Sequence, residues 1–229
     1  MSGLTDEIQS RGHWQVVIRP EVFDASRVPD VSALCPIVQQ ASVQLGGWDF
    51  PHIDRREQPI IDLDWAGQET RWNHYLEIWR LYQSGQFVHL SGFKDDWRDQ
   101  SHIWPPDQNW VSGQRLGIGT TIFRFTEIFE FAARISMTAA GDESMHIEVT
   151  LRRLAGRVLW VDAPNRMPLA QPAKATIDEF PYLLDLPRTE LAANARDLAV
   201  RGAVELFKRF GWDRSVEAVK GWQSEFGRR

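Results

Sequence analysis

MHIEVTLRRLAGRVLWVD, residues 145–162, is the stretch of sequence that decides the fold class. Its first half alternates apolar with polar side chains, and successive side chains of a strand point to opposite faces. A short apolar run at 158–161 follows the turn Leu154-Ala155-Gly156. The pattern predicts an antiparallel hairpin over about 145–162.

Shorter alternating segments predict further strands at 14–18, 60–65 and 86–90. In the second of these, the alternation directs Ile61, Leu63 and Trp65 inward and the two intervening aspartates to the other face. The long segment 92–117 has no sustained period, so we expect a structured loop there.

Helical spacing dominates the rest of the chain. Apolar residues recur every three or four positions over 31–45, 69–84, 120–135, 189–210 and 213–226. This spacing is typical of amphipathic helices that bury one face. The residues that we expect to be buried on these faces are Leu34, Val38, Ala41, Trp72, Leu76, Trp79, Ile122, Phe125, Phe129, Leu191 and Leu198.

Helices and strands are interspersed without strict alternation, so the predicted class is α+β: a mixed sheet, packed helices and two C-terminal helices. We expect residues 1–229 to form a single domain. The one candidate sub-boundary is the proline-containing stretch 163–188, which precedes the helical C-terminal tail.

Composition narrows the classes of function. A net charge of −5 without a long basic block disfavours binding to duplex nucleic acid. No apolar run approaches the roughly 20 residues of a membrane span, and the N-terminus lacks the apolar core of a signal peptide. With Cys35 as the single cysteine, the sequence predicts a soluble, cytoplasmic protein without disulfides.

Two groups of polar residues have the chemistry to hold a divalent cation. The first is Asp49, His52, Asp62 and Asp64. Aspartates at alternate strand positions point the same way and would converge on a metal if the preceding loop folded over them. Metal-dependent hydrolases and nucleases use such clusters. The competing interpretation is an ordinary polar strand face.

The second group is His146, Glu148 and Asp162. In the predicted hairpin, Glu148 lies across from about Asp162 and on the same face as His146. The trio would hold a cation or act in acid–base chemistry. The competing interpretation is a solvated outer face of a half-exposed hairpin.

Eleven tryptophans are spread along the chain. Trp48, Trp97, Trp104 and Trp110 fall in segments predicted to be loops, where a large apolar ring with a polar N–H suits a contact surface. No phosphate-binding loop or nucleophile motif is present, no catalytic residue is identified, and no cofactor is predicted.

The leading functional hypothesis is therefore a non-catalytic interaction or sensing module, such as an accessory subunit of a larger complex. Its aromatic loops would contact a protein partner or a second copy of the chain. The first alternative is a metal-dependent hydrolase or nuclease that uses a divalent cation at one of the two groups above. The second alternative is a small-molecule pocket lined by tryptophans.

Overall fold

The computed structural model describes residues 3–46, 48–98, 110–163 and 165–226. Its strands are β1 (His13–Pro20), β2 (Val43–Gly46), β3 (Trp48–Phe50), β4 (Ile60–Ile61), β5 (Trp65–Trp72), β6 (Tyr75–Tyr82), β7 (Phe87–Gly92), β8 (Arg115–Gly117), β9 (Ser144–Arg152), β10 (Val158–Trp160) and β11 (Glu179–Pro187). Its α-helices are α1 (Gly3–Gln9), α2 (Leu34–Ala41), α3 (Ile118–Ser136), α4 (Arg188–Lys208) and α5 (Val216–Phe226). Short 3-10 helices cover Val31–Ala33 and Lys94–Asp96.

Seven strands form the main sheet in the order β11-β9-β1-β7-β6-β5-β4, and every neighbouring pair is antiparallel. Strands β2 and β3 form a small antiparallel pair, and β8 and β10 form a small parallel pair. The α+β class and the two C-terminal helices predicted from the sequence are confirmed.

Helices α2, α3 and α4 pack over one face of the main sheet, which we call the core face, and α5 packs on α3 and α4. Trp14 of β1 meets Phe125 of α3 edge to face, with ring centroids 5.2 Å apart. Helix α4 lies against α3 and β11. A Cβ atom on Gly202 of α4 would come within 2.9 Å of Phe125 and 3.0 Å of Tyr182. Glycine at this position therefore allows α4 to approach closely.

The opposite face of the sheet is covered at β6 and β7 by α1, through Leu4 and Ile8 against Leu76 and Ile78. No helix in the described ranges has both the length and the apolar character needed to cross a lipid bilayer.

The predicted pairing within 145–162 is wrong, although both strands exist. Strand β9 pairs with β1 on one side and β11 on the other, whereas β10 pairs with β8 in a different sheet. Gly156 does turn the chain, with φ of +79°. However, the amide of Leu154 donates to the carbonyl of Asp178, which leads the chain away from β9. Alternation identifies a strand's faces but not its partner.

The predicted helix at 69–84 is also wrong, because β5 and β6 form an antiparallel hairpin whose turn holds Asn73 at φ of +52°. Strand β6 is buried on both faces: Leu76 and Ile78 face α1, and Trp79 faces the core. Burial on both sides removes the alternation and leaves a run that resembles a helical stripe. Of the residues predicted to be buried, Trp72 is the exception, with 55% of its surface exposed.

Strand β4 also differs from the prediction for 60–65. It contains only Ile60 and Ile61, both exposed, and Leu63 is 91% exposed in the turn that follows. The inward orientation predicted for Ile61 and Leu63 is wrong: β4 lies at the outermost end of the sheet, and neither side chain packs against the hydrophobic core.

Candidate functional site

A cleft of about 520 Å³ opens at the β5 end of the main sheet. One wall is β5 from Gln68 to Trp72, and the other is the segment 53–59, which we call the strap. The strap is held by Gln68, whose side-chain amide bonds to the backbone of Asp54 and Glu57. The cleft therefore lies between a strand and a loop fastened to that strand.

Stacked aromatic rings close one end of the cleft. The Trp48 ring lies 3.8 Å from His52, 4.5 Å from Tyr75 and 5.2 Å from Trp72, measured between centroids, and all three contacts are near parallel. Trp48 is half-buried, whereas Trp72 is mostly exposed. The stack therefore offers the open side of Trp72 to a ligand.

His52 is fixed in orientation by three residues. Its ring Nδ1 lies 2.6 Å from Asp49 Oδ1, its backbone N–H donates to Glu77 at 2.6 Å, and its carbonyl accepts from Trp79 Nε1 at 2.8 Å. A carboxylate that holds an imidazole in place is an arrangement found in acid–base sites. In this protein the contact with Asp49 also holds His52 between the cleft and the protein interior.

Ionisable side chains are buried behind His52. Glu77 Oε1 lies 3.1 Å from His89 Nε2, and Arg124 Nη1 lies 3.3 Å from Glu127 Oε2. Burial lowers the pKa of His89. Burial alone would raise the pKa of Glu77, but His89, Arg124 and the N–H of His52 outweigh it and lower the pKa to about 2.

Glu127 of α3 has the opposite shift. Burial raises its pKa to about 7, although Arg124 acts in the other direction. Buried charges seldom stabilise a fold, and shifted carboxyl groups occur often at functional sites. The cluster beneath the cleft is therefore part of the candidate site.

The outer edge of β5 is open beyond Gly67. Strand β4 pairs with Ala66 and Gly67 alone. The amide of Asp62 donates to the carbonyl of Trp65 across this edge. Because the direction of backbone groups alternates along a strand, Glu69 and Arg71 also direct their N–H and C=O groups there. In the described part of the chain, no hydrogen bond reaches these groups of Glu69 and Arg71.

The first predicted metal group is only partly brought together. Asp49 and His52 are in contact. Asp62 and Asp64 instead lie in the exposed turn between β4 and β5, where the Asp62 carboxylate accepts the N–H of Leu63. Within the described ranges, no three His, Cys, Asp or Glu side chains are placed to hold a metal.

The second predicted group is not brought together. His146 Nδ1 lies 2.6 Å from Asp185 of β11, and Glu148 accepts the hydroxyl of Thr150 at 3.2 Å. Asp162 instead accepts the N–H groups at the start of α3. The separation follows from the pairing, since β9 and β10 belong to different sheets.

The tryptophans predicted as contacts have different environments. Trp48 lines the cleft. Trp97 is half-buried beneath the guanidinium of Arg11, and Trp110 is 5% exposed against Trp160. Trp110 is therefore a packing residue in this structure. Trp104 lies outside the described residues.

Several residues of the site were missed by the sequence analysis. Trp72 and Tyr75 were assigned to a helix over 69–84 and Glu77 to its exposed face, and Gln68, just before that range, was not identified. Glu127 lies on a correctly predicted helix, but its burial depends on the distant strands β3 and β6. A usable local signal was Asn73, a residue type that tolerates the positive φ of a tight turn and lies between two apolar segments.

Comparison of the chain with protein-family models, with curated proteins and with solved structures finds no match.

Proposed function

We propose that this protein is a non-catalytic recognition module that binds an extended polypeptide segment along the open edge of β5. The observation that carries the proposal is the pair of residues Glu69 and Arg71, whose outward backbone groups have no hydrogen-bond partner in the described part of the chain and which line the cleft of about 520 Å³. Each residue offers one donor and one acceptor, and a strand added in register would satisfy them.

The surroundings of the edge support this mode of binding. Backbone hydrogen bonds give affinity in strand addition, and neighbouring side-chain pockets give selectivity. Trp72 lies at the end of the edge as an exposed aromatic anchor. Ile60, Ile61 and Leu63 extend the surface with exposed apolar side chains. Exposed apolar edges of this kind mark association sites.

The test uses a phage-displayed library of random dodecapeptides selected against the intact chain. A selected peptide should protect the amides of Glu69 and Arg71 from hydrogen exchange measured by NMR. The amide of Thr70 is the internal control, because it points towards β6 and should change little. Trp72→Ala should weaken binding about tenfold or more.

Met137→Ala is the matched control, since Met137 is an exposed side chain at the end of α3, outside the cleft. It should leave the affinity unchanged. Peptides that bind without protecting Glu69 and Arg71, or that bind the Trp72→Ala variant equally well, would contradict the proposal.

A further inference from the structure

We infer that the segment taken by the β5 edge is basic, with a Lys or Arg directly across from Glu69; this inference rests on the proposed function. The charged residues that line the cleft are the acidic residues Asp54, Glu57 and Glu69 and the basic residues Arg56 and Arg71. The charges that have no ion-pair partner within the protein determine the charge of the ligand that the cleft attracts.

Arg71 already has an ion-pair partner within the protein. Its guanidinium makes a two-pronged ion pair with Glu7 of α1, outside the cleft. Glu57 and Glu69 have no ion pair in the described part of the chain, and the Asp54 carboxylate accepts the N–H of Arg56. Among the lining residues, Arg56 is therefore the one cation without an ion pair in the described part of the chain, against Asp54 and Glu57 on the strap and Glu69 on the other face of β5, so a strand along the edge would meet a negative surplus.

The geometry of strand pairing determines where a charged side chain of the bound segment would lie relative to Glu69. Side chains directly across an antiparallel pair lie about 4.5–5.5 Å apart on the same face, and opposite charges at such positions stabilise the pair. Glu69 is half-buried and points to the face opposite the strap, because Gln68 and Thr70 on either side of it point to the core face. A basic side chain at the paired position would reach its carboxylate directly.

Two further features favour a basic occupant. The exposed ring of Trp72 can accept a second Lys or Arg against its face through a cation–π contact. The chain as a whole has a net charge of −5, so long-range attraction also favours a cationic partner. Since exposed charges are screened by salt, binding should weaken as ionic strength rises.

The experiment compares peptides from the dodecapeptide library that protect the Glu69 and Arg71 amides. We expect these peptides to be enriched in Lys and Arg. Replacing the basic residue across from Glu69 by Gln should weaken binding about fivefold, as should Glu69→Gln in the protein. The two changes together should weaken binding little more than either change does alone. A Glu69→Lys variant should prefer the peptide in which that basic residue is Glu.

The control is Glu217→Gln on α5, an exposed carboxylate outside the cleft that should leave the affinity unchanged. Edge-binding peptides without basic enrichment, or Glu69→Gln with unchanged affinity for a basic peptide, would overturn this inference and leave the proposed function standing. If no selected peptide protects the edge amides, the proposed function fails and this inference fails with it.

Discussion

The side-chain amide of Gln68 and the backbone of Asp54 exchange two hydrogen bonds, 3.1 Å to Gln68 Oε1 and 2.9 Å from Gln68 Nε2. A third bond, of 3.2 Å, joins Nε2 to the carbonyl of Glu57. Behind the strap lies a second cavity of about 200 Å³ that is lined in part by Cys35 and Trp79. One side chain therefore fastens the strap between two cavities.

Gln68→Ala should loosen the strap and speed the reaction of Cys35 with a thiol reagent several-fold, because the local opening that exposes the thiol becomes more frequent. Burial raises the pKa of Cys35, which keeps the thiol protonated in the closed state. Cys35 is the single cysteine, so the colour released by Ellman's reagent reports on this site alone. Gln40→Ala, at an exposed position of α2, is the control. Equal labelling rates for Gln68→Ala and wild type would show that other contacts hold the strap.

Stability should depend on pH through Glu127. Its pKa is about 7 in the folded protein against 4.5 for the ordinary group, so the folded state keeps the proton to higher pH than the unfolded state does. The contribution of Glu127 to stability is therefore complete below pH 4.5 and is lost as pH rises through 7, by up to about 3 kcal/mol. Glu127→Gln should remove this loss and be more stable than wild type at pH 8. Urea unfolding at pH 5 and pH 8 measures the difference, and Glu217→Gln should keep the wild-type profile.

Asp96 and Arg157 form a buried, two-pronged ion pair with distances of 2.6 and 2.5 Å. Asp96 also accepts the N–H of Gly12 at 2.8 Å. Asp96→Ala should cost about 3–5 kcal/mol, because it leaves a buried guanidinium without its counter-charge. Glu179→Ala, which breaks the exposed pair with Arg152, should cost less than about 1 kcal/mol. Similar losses for the two variants in urea unfolding would argue against this difference.

Asp162 caps α3 from a distant part of the chain. Its carboxylate accepts the amides of Gly119 and Thr120 at 2.6 and 2.7 Å and the Thr120 hydroxyl at 2.6 Å. Asp162→Ala should therefore lower stability by about 1–2 kcal/mol. Thermal unfolding should show the same loss in Mn²⁺ and in EDTA, whereas a loss confined to Mn²⁺ would restore the metal hypothesis for this residue. Glu148→Ala should have a small effect in both conditions.

Trp79 and Trp72 lie on the same hairpin and should respond differently to truncation. Trp79 is 2% exposed and donates to the carbonyl of His52, so Trp79→Ala should cost about 3–5 kcal/mol. Trp72 is mostly exposed, so Trp72→Ala should change stability by less than about 1 kcal/mol while weakening the peptide binding proposed above. A large loss of stability for Trp72→Ala would mean that the aromatic stack supports the fold.

Local sequence patterns correctly predicted the helices and strands that are buried on one face only. Helix α4 follows its apolar stripe, since a helix packed on one face repeats its buried residues every three or four positions. Strand β9 follows its alternation for the equivalent reason. The hairpin of β5 and β6 was not predicted correctly. Because β6 has neighbours on both faces, its apolar run is continuous and is equally compatible with a helix.

The residues of the candidate site also fall into two groups, those that are close in the sequence and those that only the tertiary structure brings together. Trp48, Asp49 and His52 lie within five positions of one another, and this nearness in the sequence by itself brings them together where the chain leaves β3. Tertiary structure alone decided that Glu77 and Glu127 would lie behind them, and that Asp62, Asp64 and Asp162 would lie elsewhere. Short-range geometry is set by the few dihedral angles between neighbouring residues. Strand order and pairing instead depend on which apolar faces are buried together across the whole chain, and no local spacing encodes that.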